Sequence, residues 1–247
     1  MRLITLGTGN AFAEGGRFHS AVIIRTGNQT VLVDCGPCIL PALQRAGIKP
    51  EEIDAVLVTH LHGDHIGGLP MLLLDYQYRS RRERPLLIVG PAPCAARLES
   101  LVTLMYRELA KNRRNFPVSY QEIAPGDEVR LRGGMGVHSY PMKHTDRESC
   151  LGYRVVSRGE SVALTGDTNW CPSIPEMSRG ADLLLTDCTH FALASPVHLS
   201  YTQFLKHESE ISAKRVVLTH VGDDLLKNRA KVRRRHHIAE DGEEFVI

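Results

Sequence analysis

Four side chains that bind metals stand within six residues of one another in "THLHGDHIGG": His60, His62, Asp64 and His65. Imidazole nitrogen and carboxylate oxygen suit Zn²⁺ and its neighbours, and the flanking glycines leave the loop free to bring these ligands together. One ion cannot conveniently take all four from so short a loop, so the spacing points to two ions sharing it. The plainer reading is a polar loop whose histidines cap a helix, and it predicts no ligands elsewhere. Further ligands are present. "YPMKHTD" offers His144, "ALTGDTN" offers Asp167 and "VVLTHVG" offers His220, each after an apolar or strand-like run. Such ends gather at one edge of a sheet sandwich, where loops carry chemistry on a rigid scaffold.

The elements that must position these ligands are legible as short apolar runs closed by glycine. "RLITLGTG", "SAVIIRTG" and "TVLVDCG" read as three consecutive strands, "ILPALQRAG" (39–47) as a helix ending at Gly47, and "IDAVLVTH" (53–60) as a buried strand. A helix over 65–78, a strand at 85–90 and a helical pattern over 91–110 follow. The second half repeats the plan without sequence repetition. Strand candidates run through "EVRLRGGMGVHSYPM", "LGYRVVSR", "SVALTGD" and "ADLLLTD", with a short helix near 174–179, a helix over 200–212 and the strand "KRVVLTH". No Ser/Gly/Pro linker divides the chain, so residues 1–247 are expected to form one domain. Two strand-rich halves, each with helices to cover an outer face, predict an α+β fold: an αββα sandwich.

Composition sets the broad class. The chain has 247 residues, 43% of them apolar, which is ample for a core. Thirty Lys/Arg against 28 Asp/Glu leave a net charge of +2, too near balance to argue for nucleic acid globally. The Met1–Leu6 start carries one Arg and too short an apolar run for a signal peptide, and no run is long enough to span a membrane, so a soluble cytoplasmic protein is expected. Six scattered cysteines in a chain of this size read as reduced, mostly buried thiols.

His60-x-His62-x-Asp64-His65, followed in order by His144, Asp167 and His220, resembles the metallo-β-lactamase superfamily of metal-dependent hydrolases, over essentially the whole chain. The resemblance implies that His60, His62 and His144 bind one ion, that Asp64, His65 and His220 bind a second, and that Asp167 bridges them. Zn²⁺ is the simplest occupant, with Mn²⁺ or Fe as alternatives, since oxygen and nitrogen ligands without thiolate discriminate poorly. The corresponding superfamily strand also ends in Asp and Gly, matching Asp34 and Gly36. That assigns Asp34 a hydrogen-bonding role behind the metal loops. Cys35-Gly-Pro-Cys38 has the form of a thiol–disulfide site, but a larger metal-binding sandwich surrounds it, and the two cysteines are expected to be packing residues.

Two ions define a reaction type and leave lactones, thioesters, β-lactams and phosphodiesters all eligible. The segment "SPVHLSYTQF" chooses among them. His198, two residues before Ser200, resembles the extra histidine of the phosphodiesterase branch, which includes ribonuclease Z and the cyclic-phosphate phosphodiesterases. A diester leaves as an alkoxide, so a protonated His198 aimed at the leaving oxygen is useful as a general acid. Asp64 and Asp167 are assigned to fixing metal and nucleophile, and Ser200 to substrate binding. "GTGNAF" and "AEDG" agree with the same branch. A lactonase or thioesterase is disfavoured by the His198 segment, and an RNA-binding module with structural metals by the full ligand set.

Substrate size follows from one spacing. Ribonuclease Z enzymes usually carry a long arm that grips transfer RNA, and in the bacterial form it lies between the positions matching His144 and Asp167. Here two strands and a turn use up that interval. A small anionic diester such as a cyclic nucleotide or sugar cyclic phosphate is therefore expected, with transfer RNA 3′ processing as the alternative. The basic runs at 79–84 and 111–114 read as solvated faces, whereas 227–237 is a candidate for attracting the anion. Relatives in the branch commonly pair, which implies a homodimer to which "LPMLLLDYQY" could contribute. His19, His138, His190 and His207 are given no role, His190 being the least secure of these.

Overall fold

The computed structural model describes residues 1–27 and 29–247 and shows two seven-stranded sheets stacked face to face. The first contains β1 (Arg2–Gly7), β2 (Ala21–Thr26), β3 (Gln29–Val33), β4 (Ala55–Leu57), β5 (Leu86–Gly90) and β6 (Val118–Glu122). The second contains β7 (Glu128–Arg130), β8 (Gly136–Pro141), β9 (Leu151–Ser157), β10 (Glu160–Leu164), β11 (Leu183–Asp187), β12 (Val216–Thr219) and β13 (His237–Ile238). β14 (Glu243–Val246) returns to the first sheet beside β1, giving the orders β14-β1-β2-β3-β4-β5-β6 and β13-β12-β11-β10-β9-β8-β7. In each sheet an antiparallel part gives way to a parallel one, β3 to β6 in the first and β10 to β13 in the second.

The strands read as nearly unbroken apolar runs because both faces of both sheets are covered. Leu3, Ile24, Val31 and Leu57 point into the layer between the sheets, where they join Val137, Tyr153, Val162 and Leu183. Their neighbours Ile4, Ile23, Leu32 and Val56 point the other way, onto helices Ile39–Arg45, Leu69–Tyr78 and Cys94–Met105. On the far side, helices Ser173–Ser178 and Tyr201–His207 cover the second sheet. This is the expected αββα sandwich. Among the described residues, no helix is long and apolar enough to cross a membrane.

Several expected boundaries move for local reasons. The strand expected over 53–60 is ordered only at Ala55–Leu57, because Thr59 N donates to the Asp34 carboxylate (2.8 Å) rather than to a neighbouring strand. The helix expected over 65–78 is two, Gly63–Ile66 and Leu69–Tyr78: Gly68 N donates to Cys35 O (2.8 Å), and a Cβ at Gly68 would lie 2.2 Å from Gly36 O, so only glycine admits this crossing. The helix expected to run to 212 ends at His207 and tightens into the turn Glu208–Glu210. β6 and β14 were not anticipated, since both are short and neither has a fully buried residue, so no apolar run marks them.

Candidate metal centre

The seven expected ligands converge beyond the carboxyl-terminal ends of β4, β8, β10 and β12. His60 and His62 follow β4, Asp64 and His65 lie on the short helix Gly63–Ile66, and His144, Asp167 and His220 follow β8, β10 and β12. The sheets are tied together here: Leu151 N donates to Thr59 O (2.8 Å), Tyr153 Oη to Val58 O (2.6 Å) and Val221 N to Thr8 O (2.9 Å). Both His220 and Asp34 take left-handed backbone, at φ 56° and 59°, a conformation that costs of order 1–3 kcal/mol for a side chain outside its preferred regions and persists where the surroundings over-determine it.

His60, His62 and His144 form one group of donors and Asp64, His65, Asp167 and His220 a second. In the first, Nδ1 of His62 lies 3.0 Å from Nε2 of both His60 and His144. Asp167 stands between the groups, with Oδ2 3.8 Å from Nε2 of His60 and of His144, and Oδ1 3.2 Å and 3.3 Å from Nε2 of His65 and His220. Asp64 Oδ2 is 3.3 Å from His65 Nε2 and 3.4 Å from His220 Nε2. These separations place a carboxylate where it can serve both groups.

The opposite ring nitrogens show why the inner ones face the centre as lone pairs. His144 Nδ1 donates to Val197 O at 2.9 Å. Thr59 Oγ1 gives its proton to Asp34 Oδ2 (2.8 Å) and so accepts from His60 Nδ1 (3.1 Å), while Asp34 Oδ2 accepts directly from His65 Nδ1 (2.7 Å). Across the site Thr189 Oγ1 donates to Asp187 Oδ1 (2.9 Å) and accepts from His220 Nδ1 (3.0 Å), while Asp187 Oδ2 accepts from His198 Nδ1 (2.8 Å). Two buried carboxylates thus each hold one imidazole directly and one through a threonine. Fixing Nδ1–H in this way presents Nε2 to a metal.

A divalent metal fits what is present. Nε2 of His65 and Oδ1 of Asp167 are buried without a hydrogen-bond partner, a costly state that a cation relieves. Burial, reinforced by the neighbouring imidazoles, holds His60 well below the ordinary histidine value, and burial chiefly lowers His144, so both favour the neutral form that a metal needs. Burial opposes the Asp64 carboxylate, but His220 and His65 beside it outweigh that and hold it well below the usual carboxylate range. His65 goes the other way. Burial disfavours its charge, yet Asp167 and Asp34 on either side raise it well above the usual value.

His198 lies at this edge, with Nδ1 4.0 Å from Asp167 Oδ2 and its ring 5.2 Å from that of His220 and 4.9 Å from that of His144. Burial opposes its charge, but the hydrogen bond and charge of Asp187 prevail and push it up to about 9. Asp187 also accepts from Thr168 N (3.0 Å) and Thr189 N (3.0 Å), so its oxygens are spent on positioning and not free for metal. Asp187, Thr59 and Thr189 escaped sequence reading, although Asp187 ends an apolar run just as Asp167 follows one.

Ser200 is buried and caps helix Tyr201–His207, its Oγ accepting from Gln203 N at 3.3 Å, so a substrate contact must compete with that cap. His190 lies 6.4 Å from His198 between ring centroids, closer to the chemistry than His138 or His207, which face Glu128 and Glu210. Cys35 is fully buried and burial drives its thiol well above the usual value, while Cys38 lies 3.4 Å from His19 Nδ1; both are free thiols. In the basic segment 227–237, Lys227, Arg233 and Arg235 pair with Asp223, Glu240 and Glu208, which tempers its field. The expectation of a solvated face at 79–84 fails at Arg82, which is 2% exposed.

The profile of the family described as Anti-Pycsar protein Apyc1 matches residues 1–245. A ribonuclease Z of Mycolicibacterium paratuberculosis is 31% identical over 189 residues, covering 73% of this chain and 67% of the relative. The human tRNase Z, short form, superposes with a TM-score of 0.79 at 25% identity, covering 100% of this chain and 99% of that one. The metallo-β-lactamase fold protein YhfI of Bacillus subtilis gives a TM-score of 0.80 at 22% identity, with 99% of both chains covered, and speaks for the fold. With its donor groups at the sheet edge and this match along nearly its full length, the chain belongs to the Anti-Pycsar protein Apyc1 family, among the ribonuclease Z-like, metal-dependent hydrolases of the metallo-β-lactamase superfamily.

Proposed function

We propose that the chain is a phosphodiesterase that uses two divalent ions, most simply Zn²⁺ with Mn²⁺ or Fe as alternatives, to hydrolyse a small, cyclic phosphodiester such as a cyclic nucleotide or sugar cyclic phosphate. The observation that carries this reading is His198, held by Asp187 at 2.8 Å beside both donor groups. His60, His62 and His144 would hold one ion, Asp64, His65 and His220 the other, with Asp167 between them. Bound there, the ions supply an activated water and positive charge for the phosphoryl oxygens.

The chain's own residues supply the rest. Asp187 fixes Nδ1 of His198, leaving Nε2–H as the proton that can pass to the departing ester oxygen. Asp64 and Asp167, kept ionised by the surrounding imidazoles, hold the ligand frame and orient the attacking side. An alkoxide is a poor leaving group, and a carbonyl substrate has less need of this acid, which supports the diester over a lactone or thioester.

The small substrate is supported by the segment between His144 and Asp167. It folds into β9 and β10, a hairpin of the sandwich itself, and 66–143 likewise folds into helices and strands of the two layers. The relatives named ribonuclease Z keep precursor transfer RNA as the second reading. The decisive measurement is kcat/KM across cyclic mono- and dinucleotides, sugar cyclic phosphates and precursor transfer RNA, with lactone and thioester substrates alongside. Efficient cleavage of a small cyclic diester is expected, and efficient 3′-trailer removal with every small diester slow would overturn it.

We also propose that 1–247 acts as one catalytic unit, as a cytoplasmic homodimer. Of the helix Leu69–Tyr78, Leu69, Leu72, Leu73 and Tyr76 are spent on the chain's own core, so pairing there would have to use Met71, Leu74 and Tyr78. Light scattering at micromolar concentration tests the dimer, and a monomeric mass would remove it.

A further inference from the structure

The end of the sandwich opposite the metal centre holds a second concavity. Between Thr26, Gly27 and Gln29, the starts of β4 and β5, and the β7–β8 and β9–β10 turns lies a cavity of about 640 Å³, within the range of small-molecule sites. It is distinct from the metal centre: Asp54, at its wall, precedes His60 by six residues, about 20 Å of extended chain.

Its lining divides by chemistry. Ala55, Leu87 and Leu131 form an apolar wall, and Arg84, Arg132 and Arg158 stand at the rim. Asp54 is already satisfied, by Arg84 Nη1 (2.5 Å) and by Thr30 N (2.7 Å). Among the described residues Arg132 and Arg158 pair with no carboxylate, so the cavity keeps uncompensated positive charge. The β9–β10 turn holds Arg158 over Gly27, its Nη2 3.2 Å from where a Cβ on Gly27 would stand.

Gln29 supplies an independent sign. Its side chain is 7% exposed in the cavity wall, and its Oε1 has no hydrogen-bond partner among the described residues. An unpaired buried amide oxygen costs about 1–3 kcal/mol, and the cost is recovered when a donor arrives. Gly133 has no side chain to fill the space beside that oxygen, where a Cβ would lie 2.9 Å from it, and Gly133 and Gly134 both take positive φ (99° and 91°).

We propose that this cavity is a second binding site, for a small organic phosphate of the nucleoside monophosphate class. The phosphate meets Arg132 and Arg158, the planar body lies on the Ala55, Leu87 and Leu131 wall, and an N–H or O–H group satisfies Gln29.

Calorimetric titration of the full metal-loaded chain with adenosine and cytidine 5′-monophosphates, and separately with inorganic phosphate, tests it. Asp167→Asn serves to remove ligand binding at the metal centre. One nucleotide per chain is expected in that variant, weakened about tenfold or more in R132E/R158E, which changes exposed side chains only. Gln29→Leu should weaken the nucleotide and leave phosphate unchanged. Because Gln29 is buried, hydrogen exchange of the unsubstituted chain is the companion measurement, with ligand-dependent protection expected at 131–134 and 157–159. No nucleotide binding in Asp167→Asn, binding indifferent to the two arginines, or phosphate binding as tightly as nucleotide would each overturn the proposal.

Discussion

Asp187 Oδ2 accepts a hydrogen bond from His198 Nδ1 at 2.8 Å, from a carboxylate with no exposed surface. On the other side of the site Asp34 does the same for His65 at 2.7 Å. The parallel fits the proposed division of duties: one imidazole would face the donor groups as a ligand, while the other would keep a proton to give. Asp187→Asn keeps the shape but loses the charge that sustains the imidazolium. It should lower kcat on unactivated diesters by about 10-fold to 10³-fold, and by less on bis(p-nitrophenyl) phosphate, whose leaving group needs no proton. Steady-state rates on both substrates check this, and a purely structural role would lower both rates alike.

Removing the acid itself is the sharper experiment. His198→Ala should retain its metal, because the seven donor residues keep their own hydrogen-bond partners, and should lose about 10² to 10⁴ in rate on unactivated diesters. Metal content by mass spectrometry and the rate ratio between activated and unactivated substrates are the readouts. Equal losses on both would assign His198 to positioning instead.

Asp167 reaches both donor groups, whereas His62 touches only the first. Asp167→Ala should therefore lower the metal content of the whole centre, and His62→Ala that of one group only. Exhaustive chelation should abolish diester hydrolysis and lower the melting temperature, since the buried donors then face one another uncompensated. Diesterase activity unchanged after chelation would rule out the proposed mechanism.

The centre was legible in the sequence because each ligand follows an apolar run that must end at the same sheet edge. His60, His144, Asp167 and His220 announce themselves by that position. The residues behind them do not. Thr59 and Thr189 are ordinary strand-end threonines until the fold brings Asp34 and Asp187 against them, and nothing in local sequence distinguishes a threonine that relays a hydrogen bond. Asp187 carried the same strand-end signal as Asp167 and was missed because no spacing linked it to a ligand. Two strands failed for a different reason. β6 and β14 sit at sheet edges and are short and only partly buried, so their pairing depends on tertiary neighbours and not on an apolar run.

The run "RSRRER" shows the limit most plainly, because charge alone suggested a solvated face. Arg82 is buried: its Nε donates to Arg84 O (2.8 Å), Nη1 to Ile53 O (2.7 Å) and Nη2 to Pro85 O (2.7 Å), and its guanidinium lies 4.8 Å from the Tyr76 ring centroid. It joins the helix Leu69–Tyr78, which follows the metal loop, to the chain entering β4 and β5. Arg82→Ala leaves the buried Ile53 carbonyl without its donor, removes the hydrogen bonds to Arg84 O and Pro85 O and empties the space against Tyr76, and should cost about 2–4 kcal/mol. Lysine cannot reproduce the planar fork, so Arg82→Lys should recover less than half of the loss. The exposed Arg113→Ala is the control and should stay within about 0.5 kcal/mol of the unsubstituted chain. Urea unfolding measures all three. A midpoint for Arg82→Ala equal to that of the control would show that the buried guanidinium contributes nothing net, its hydrogen bonds cancelled by the desolvation of its charge.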